Sequence, residues 1–312
     1  MITVTLKPSI DRTITLPTLK VGEINRAQEI TLHPGGKGVN VSRAAQAFGS
    51  RTHALFIGGA LGQSWMSSKL DESGIAHTVI SGYESIRSNM TIVAGNGEVT
   101  KINEPGPTLG ESDIEKIEAA LSEMDLNGNW VVFAGRLNPG LSADSYSRLA
   151  RFARSRGGHV AVDSSGEEFA SAVRAGAVDL VKPNHHELSE LVGRPLMTIS
   201  DVITAADEVI AGGVTTVLCS MGADGALLIT KDGATHCEPI EKVSGTPVGA
   251  GDILLGIFIA AGRDVAALEK AIAWSAASVP LPGTSIPTPA QASEIHVRTS
   301  ADFDRSRLLV EE

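Results

Sequence analysis

The sequence predicts an α/β fold built on a mostly parallel sheet with helices on both faces. From residue 111 onward, helical and strand-like stretches alternate. Strands separated by helices close right-handed βαβ units, whose sheet is covered on both sides. Polar or glycine-rich clusters also follow several strands: Lys7 to Asp11, Gly135-Arg136, Lys182-Pro-Asn184 and Ser220-Met-Gly222. The carboxyl ends of strands are where open α/β sheets bind ligands.

Residues 2–6 alternate as a short strand, and 12–32 read as short strands broken by Pro17 and Gly22. From Gly38 the period becomes helical, with Val41, Ala44, Ala45 and Phe48 on one face and Gly49 as the stop. A strand at 55–57 and a helix over 64–72 follow. Two strands over 89–102 flank Asn96-Gly97, a hairpin signal. Helices are expected at 111–124, 142–155, 167–174, 185–192 and 201–211, with strands at 130–134, 160–163, 179–181 and 216–219. A hairpin over 225–238, an unusually apolar helix over 250–261 and a final amphipathic helix marked by Leu268, Ala271, Ile272 and Ser275 complete the chain. The early strands do not fit the βαβ rhythm and are expected to form a small attached sheet, a lid, with strands from about 12–32 and 87–102.

The 312 residues are 42% hydrophobic and only 4% aromatic, with 33 glycines, a mix suited to a compact α/β enzyme. A net charge of −10 argues against nucleic acid or an anionic membrane surface as partner. Cys219 and Cys237 form no C-x-x-C and read as small buried hydrophobes in a reducing compartment. The start has neither the basic region nor the apolar core of a signal peptide, and no apolar run approaches a membrane span. A cytoplasmic protein is expected.

Thr246-Pro-Val-Gly249-Ala250-Gly251-Asp252 opens the apolar helix. Its glycines let backbone approach a ligand, and the free amides of a first helical turn attract phosphate. Asp252 there suits either a helix cap or a base taking a proton from a hydroxyl that attacks a bound phosphoryl group. The G-x-G-x-x-G pattern fails at Leu254, and no G-x-x-x-x-G-K-[ST] is present, which disfavours a nicotinamide oxidoreductase and a P-loop enzyme. Pro34-Gly35-Gly36-Lys37-Gly38-Val-Asn40 precedes the first clear helix. It is either a turn with a solvated lysine or a cradle holding a sugar and a phosphate, with Asn40 on sugar hydroxyls. Asn184 and Glu187, three apart at a helix start, suit either a capping box or orientation of Mg²⁺-bound water or phosphate. His186-Glu-Leu-Ser-Glu190 is not H-E-x-x-H, so zinc is discounted. Arg87, Lys37 and Arg136 are candidates for a substrate phosphate. Asn89 and Asp11 flank the same early strands.

Gly35-Gly36-Lys37-Gly38-Val39-Asn40-Val41 and Val248-Gly249-Ala250-Gly251-Asp252 together resemble the PfkB (ribokinase-like) sugar kinase family. The segments between match in order, from Thr5-Leu-Lys-Pro-Ser-Ile-Asp11 through Asp163-Ser-Ser-Gly166, Val181-Lys-Pro-Asn184 and Ser220-Met-Gly222-Ala-Asp-Gly225. The chain looks closest to the phosphosugar branch. Asn103-Glu-Pro-Gly106-Pro and Lys182-Pro-Asn-His-His-Glu187-Leu are most similar to 1-phosphofructokinase. The resemblance implies one three-layer α/β/α domain over residues 1–312 with a small β lid that pairs two subunits. It implies ATP- and Mg²⁺-dependent phosphorylation of a sugar phosphate, fructose 1-phosphate first and tagatose 6-phosphate or fructose 6-phosphate as alternatives. Asp252 becomes the catalytic base and the Gly249, Ala250 and Gly251 amides the anion hole. Asp11, Gly35, Gly36, Lys37, Asn40 and Arg87, with Asn89 and Arg136, fall around the sugar phosphate. Lys182, Asn184, Glu187, Ser220, Gly222, Gly225 and Val248 fall around ATP, with Asn184 and Glu187 near Mg²⁺. A monovalent cation, K⁺, would sit near Thr246, Val248 and Gly283. Lys7 stands where the family often has Asn, Arg136 where a small Ser is common, Asn138 where Pro is expected, and Ile253, expected to crowd the anion hole, where a small residue follows the base. These departures also leave open a non-catalytic sugar-phosphate sensor.

Overall fold

The computed structural model describes residues 1–309. In chain order its elements are β1 (Ile2–Thr5), β2 (Ser9–Leu16), β3 (Glu29–Gly35), α1 (Lys37–Ala47), β4 (His53–Leu61), α2 (Gln63–Glu72), β5 (Ala76–Ser85), β6 (Arg87–Ala94), β7 (Val99–Asn103), α3 (Glu111–Ser122), β8 (Trp130–Ala134), α4 (Ser145–Ser155), β9 (His159–Asp163) and α5 (Gly166–Arg174). They continue as β10 (Leu180–Val181), α6 (His185–Val192), α7 (Ile199–Ala211), β11 (Thr216–Ser220), a 3₁₀ turn (Gly222–Asp224), β12 (Ala226–Thr230), β13 (Gly233–Pro239), α8 (Ala250–Ala261), α9 (Val265–Ser278), α10 (Pro289–Ser293) and β14 (Val297–Ser300).

Ten strands form the main sheet in the order β14-β13-β12-β11-β10-β9-β8-β1-β4-β5. The seven from β11 to β5 run parallel, and β12 to β14 extend the sheet antiparallel. Side chains alternate across a strand, so β8 feeds both faces. Val131 and Phe133 join one apolar cluster with Ile114, Ile117 and Leu149 of α3 and α4. Val132 and Ala134 join another with Ile257 and Phe258 of α8 and Leu268 of α9. The result is the ribokinase-like α/β fold: a large mostly parallel sheet between two helical layers, with a smaller sheet attached. α8 is apolar all round because it is packed all round, and Ile253 through Ile259 are buried.

Gly256 sets the geometry that matters most for the site. A Cβ there would come within 2.6 Å of the Val41 carbonyl oxygen. Only glycine lets α8 lie this close to α1, and the approach brings the start of each helix to the same place.

The second sheet has the order β3-β2-β6-β7. β2 and β6 pair in parallel, with Ser9 opposite Arg87 and Asp11 opposite Asn89. β3 runs directly into α1 through Gly36, whose φ of 99° is left-handed backbone that favours glycine. Ile30, Leu32 and Ile102, which share one face, leave an exposed apolar surface on this small sheet.

Several boundaries differ from the sequence reading. The lid strands begin at Ser9, and 17–28 is loop rather than strand, because Pro17 interrupts the ladder and Asn25 folds the loop back on Lys20 through two hydrogen bonds. β5 was not expected. It is a sheet edge that pairs only with β4, so most of its side chains are half-buried or exposed and no alternation shows. The helix expected to be final, α9, is followed by α10 and β14, a five-residue and a four-residue element too short for a periodic signal.

Phe133 is fully buried between the sheet and α4. Phe133→Ala is expected to destabilise the protein by about 3–5 kcal/mol, measured as a lower urea midpoint at unchanged slope.

Candidate active site

Two lysines and two aspartates from four elements meet where α1 and α8 begin. Asp163 ends β9 and is fully buried. Its Oδ1 accepts from Lys37 Nζ at 2.8 Å, and its Oδ2 lies 3.5 Å from Lys182 Nζ. Lys182, 4% exposed, lies beneath the α8 start, where a Cβ at Gly251 would stand 3.2 Å from its Nζ. Asp252, 6% exposed, lies in the first turn of α8 and accepts at Oδ2 from Asn40 Nδ2 at 2.9 Å.

Burial pushes Asp252 up, to about 6; nearby Lys37 opposes the shift and Asp163 adds to it. Burial would also raise Asp163, but Lys182 and Lys37 outweigh it and hold that carboxyl below the ordinary range. Burial disfavours the charge on Lys37, but Asp163 and Asp252 more than restore it. Of the two acids, Asp163 is therefore the permanent anion. Asp252 is the one able to exchange a proton near neutrality, as a base must.

A cleft of about 630 Å³ opens from this group. Lys37, Lys182, Asn184, Glu187, Ser220, Gly222 and Gly225 line it, together with Gly249, Ala250, Gly251 and Asp252. Its far wall is apolar: Leu254, Ile272, Ala276 and Val279. Gly249 caps α8 with φ 80°, which turns the backbone so that the first amides of the helix can face an anion. Of the three amides expected to form the anion hole, Ala250 N–H is engaged by the Pro247 carbonyl at 3.3 Å, which leaves those of Gly249 and Gly251; with a buried lysine and an apolar wall, they fit a nucleotide: phosphates at one end, a flat base at the other. Asn184 and Glu187 form the capping box weighed from sequence, each accepting the other's backbone N–H at 2.8 Å. Glu187 Oε1 stays outside the box, available to metal-bound water.

The second half of the site lies under the lid. Asp11 Oδ1 accepts from Ser9 Oγ at 2.7 Å and from Asn89 Nδ2 at 3.1 Å, and its Oδ2 accepts from Thr284 Oγ1 at 3.3 Å. Burial raises its pKa against these three hydrogen bonds. Gly35 is pressed on the Asp11 carboxyl, so no side chain fits there. A Cβ at Gly36 would meet Thr5 and Pro8 at 2.8–2.9 Å. Arg87 donates to the Glu104 carbonyl at 3.1 Å. One residue ties this half to the first: Arg43 Nη1 lies within 3.1 Å of the Pro34 and Thr284 carbonyls and of Asn40 Oδ1. A continuous path of hydrogen bonds therefore runs from Asp11 through Thr284, Arg43 and Asn40 to Asp252.

The structure redistributes some expected roles. Lys37 joins the ion-paired centre, where Asp163 accepts from its ammonium, and it also lines the cleft. The Asn40 amide is engaged by Asp252 and Arg43, so it orients the carboxylate where sugar hydroxyls were expected. Thr246 and Val248 are outside the cleft lining. They form a turn in which Val248 N–H bonds the Thr246 carbonyl and Thr246 N–H bonds that of Val279. Gly283 abuts Thr13 and His33 of the small sheet. Ile253 does not crowd the anion hole: it is 1% exposed and packs into the apolar layer with Leu255 and Phe258. Arg43 and Thr284 were not singled out from sequence, and Asp163 opened one matching segment but was given no role. Asp163 at a parallel strand's carboxyl end was a usable signal; Arg43 and Thr284 carried none.

The pfkB family carbohydrate kinase profile matches residues 5–291. A 1-phosphofructokinase from Xanthomonas campestris pathovar campestris is 35% identical over 86% of each chain. The ATP-dependent 6-phosphofructokinase isozyme 2 of Escherichia coli is 32% identical over 88% of this chain and 90% of its own. The crystal structure of E. coli phosphofructokinase-2 in complex with potassium superposes with a TM-score of 0.88 at 29% identity, covering 95% of this chain and 97% of that one.

The Asn40–Asp252 bond has a direct readout. Carboxyl carbon NMR should show Asp252 titrating near pH 6, and Asn40→Ala should titrate higher still, because the lost hydrogen bond favoured the anion. An unmoved or lower value would show that the amide does not hold the carboxylate.

Proposed function

The chain belongs to the pfkB family of carbohydrate kinases, and from that premise we propose that it transfers the γ-phosphoryl group of ATP to the 6-hydroxyl of fructose 1-phosphate, giving fructose 1,6-bisphosphate. The observation that carries the reading is the position of Asp252. It borders the nucleotide-shaped cleft and is linked through Asn40 and Arg43 to the lid pocket of Asp11.

In this reading Asp252 takes the hydroxyl proton as that oxygen attacks the γ-phosphorus and the bond to the bridging oxygen of ADP breaks. Lys182 and the amides of Gly249 and Gly251 stabilise charge on the transferring group. Mg²⁺, with its waters ordered by Asn184 and Glu187, would neutralise the phosphate oxygens. Gly35, Gly36, Asp11 and Asn89 shape the sugar pocket, and Arg87 and Arg136 take its phosphate. Ser220, Gly222 and Gly225 border the nucleotide. A K⁺ site near Thr246, Val248 and Gly283 belongs to the same proposal, supported by the potassium complex of the E. coli enzyme. Lid closure would keep water from the γ-phosphate. Buried free thiols suit a cytoplasmic location, and no described helix is long and apolar enough to cross a membrane. Fructose 6-phosphate is the second reading, favoured by the similarity to the E. coli isozyme.

Asp252→Asn should lower kcat by roughly 10²–10⁴ while ATP still binds; near-normal turnover would remove Asp252 as base. Wild-type turnover should fall with acidity below about pH 6, where Asp252 becomes protonated. ADP release across fructose 1-phosphate, fructose 6-phosphate, tagatose 6-phosphate and free hexoses decides the acceptor.

The exposed lid surface of Ile30, Leu32 and Ile102 is proposed to pack on the same surface of a second copy. Leu32→Glu with Ile102→Lys should halve the mass seen in analytical ultracentrifugation. A wild type already monomeric at the highest concentration would refute the pairing.

A further inference from the structure

Two cations from distant parts of the chain, Arg87 and Lys7, meet at one short segment, residues 104–107, and a third, Arg136, stands in the loop anchored beside it. Arg87 of β6 donates to the Glu104 carbonyl at 3.1 Å. The Lys7 stem lies against Gly106, where a Cβ would stand 2.8 Å from Lys7 Cγ and 2.9 Å from its Cε. Asn138 donates to the Pro107 carbonyl at 2.9 Å and touches the same face of Gly106. That bond anchors the loop after β8, which carries Arg136 two residues earlier. Gly106 thus has no side chain because Lys7 occupies its place.

Three carboxylates stand near these three cations, so the cluster is formally balanced. Glu168 accepts from Arg136 Nε at 3.4 Å, and Asp11 and Glu104 lie near Arg87. Burial first, then repulsion from Arg87 and Arg136, lowers the Lys7 pKa despite Glu168. Arg87 Nε is buried with no hydrogen-bond partner among the described residues. A buried donor left without an acceptor signals one that the protein does not itself supply. A phosphate monoester offers three terminal oxygens spread tetrahedrally; a carboxylate offers two in a plane. Three cations on three separate elements match the former.

We infer that Lys7 and Arg136 act with Arg87 as specificity-determining residues, gripping the acceptor's phosphate as a dianion and setting the enzyme's preference for phosphorylated over free sugars. The inference rests on the sugar-phosphate reading above and narrows it to acceptors whose dianionic group lies away from the reacting hydroxyl.

The test uses whichever sugar phosphate the wild type turns over fastest, so a wrong choice of sugar does not affect it. Lys7→Asn and Arg136→Ser should each raise KM for that sugar phosphate roughly 10- to 100-fold, the loss of one charge-assisted hydrogen bond. The change in kcat and in KM for ATP should be much smaller. The ratio of kcat/KM between sugar phosphate and free sugar should fall by a similar factor, and Lys7→Arg should recover part of it. An unchanged ratio, or equal losses on both sugars, overturns the inference, since a folding defect would lower both alike. If no sugar phosphate is turned over, the functional reading fails, and calorimetry with inorganic phosphate still decides this one. Weaker binding in both variants supports it, and binding equal to wild type overturns it.

Discussion

The hydrogen bond from the Asn40 amide to the Asp252 carboxylate joins side chains 212 positions apart, and the rest of the site is arranged around it. It can form only because α1 and α8 approach at Gly256 more closely than any residue with a Cβ would allow. The same approach places the open amides of the α8 start beside the lid root. Arg43, one turn after Asn40, extends the bond to Thr284 and so to Asp11. Asp11 and Asp252 are therefore positioned by one connected set of polar contacts, not by two independent loops.

Burying Lys37, Lys182, Asp163 and Asp252 together is costly, because each charge loses its hydration. The cost is limited by pairing both lysines with Asp163, which stays ionised. Asp252 is left with Asn40 and longer-range attraction, and so keeps a proton affinity suited to exchange near neutrality. The division of labour is electrostatic: one carboxylate holds the cations in place, and the other remains reactive. It also explains why Lys37 is drawn inward from its glycine-rich loop toward the cleft.

Much of the fold was legible in the sequence. The alternation of helices and strands after residue 111, the apolar helix at 250 and the glycine-rich start of α1 all appear where local pattern places them, because period and turn chemistry are local properties. β5, α10 and β14 were not legible: edge strands and single-turn helices carry no periodic signal. In the site, Asp252, the glycines before it and the cleft residues Lys182, Asn184, Glu187, Ser220, Gly222 and Gly225 could be read from motifs at strand and helix ends. Arg43 and Thr284 could not, since one looks like any helix arginine and the other like any loop threonine.

By itself, the sequence determined the layered α/β architecture, the attached small sheet and the two glycine-bearing helix starts, because these follow from backbone periodicity and turn chemistry. Only the tertiary structure decided the side-chain roles. It drew Lys37 to Asp163, committed the Asn40 amide to the Asp252 carboxylate, turned Ile253 into the core and laid the Lys7 stem against Gly106. Those outcomes depend on which charges and hydrogen-bond partners meet after burial, and no local stretch of chain contains that information.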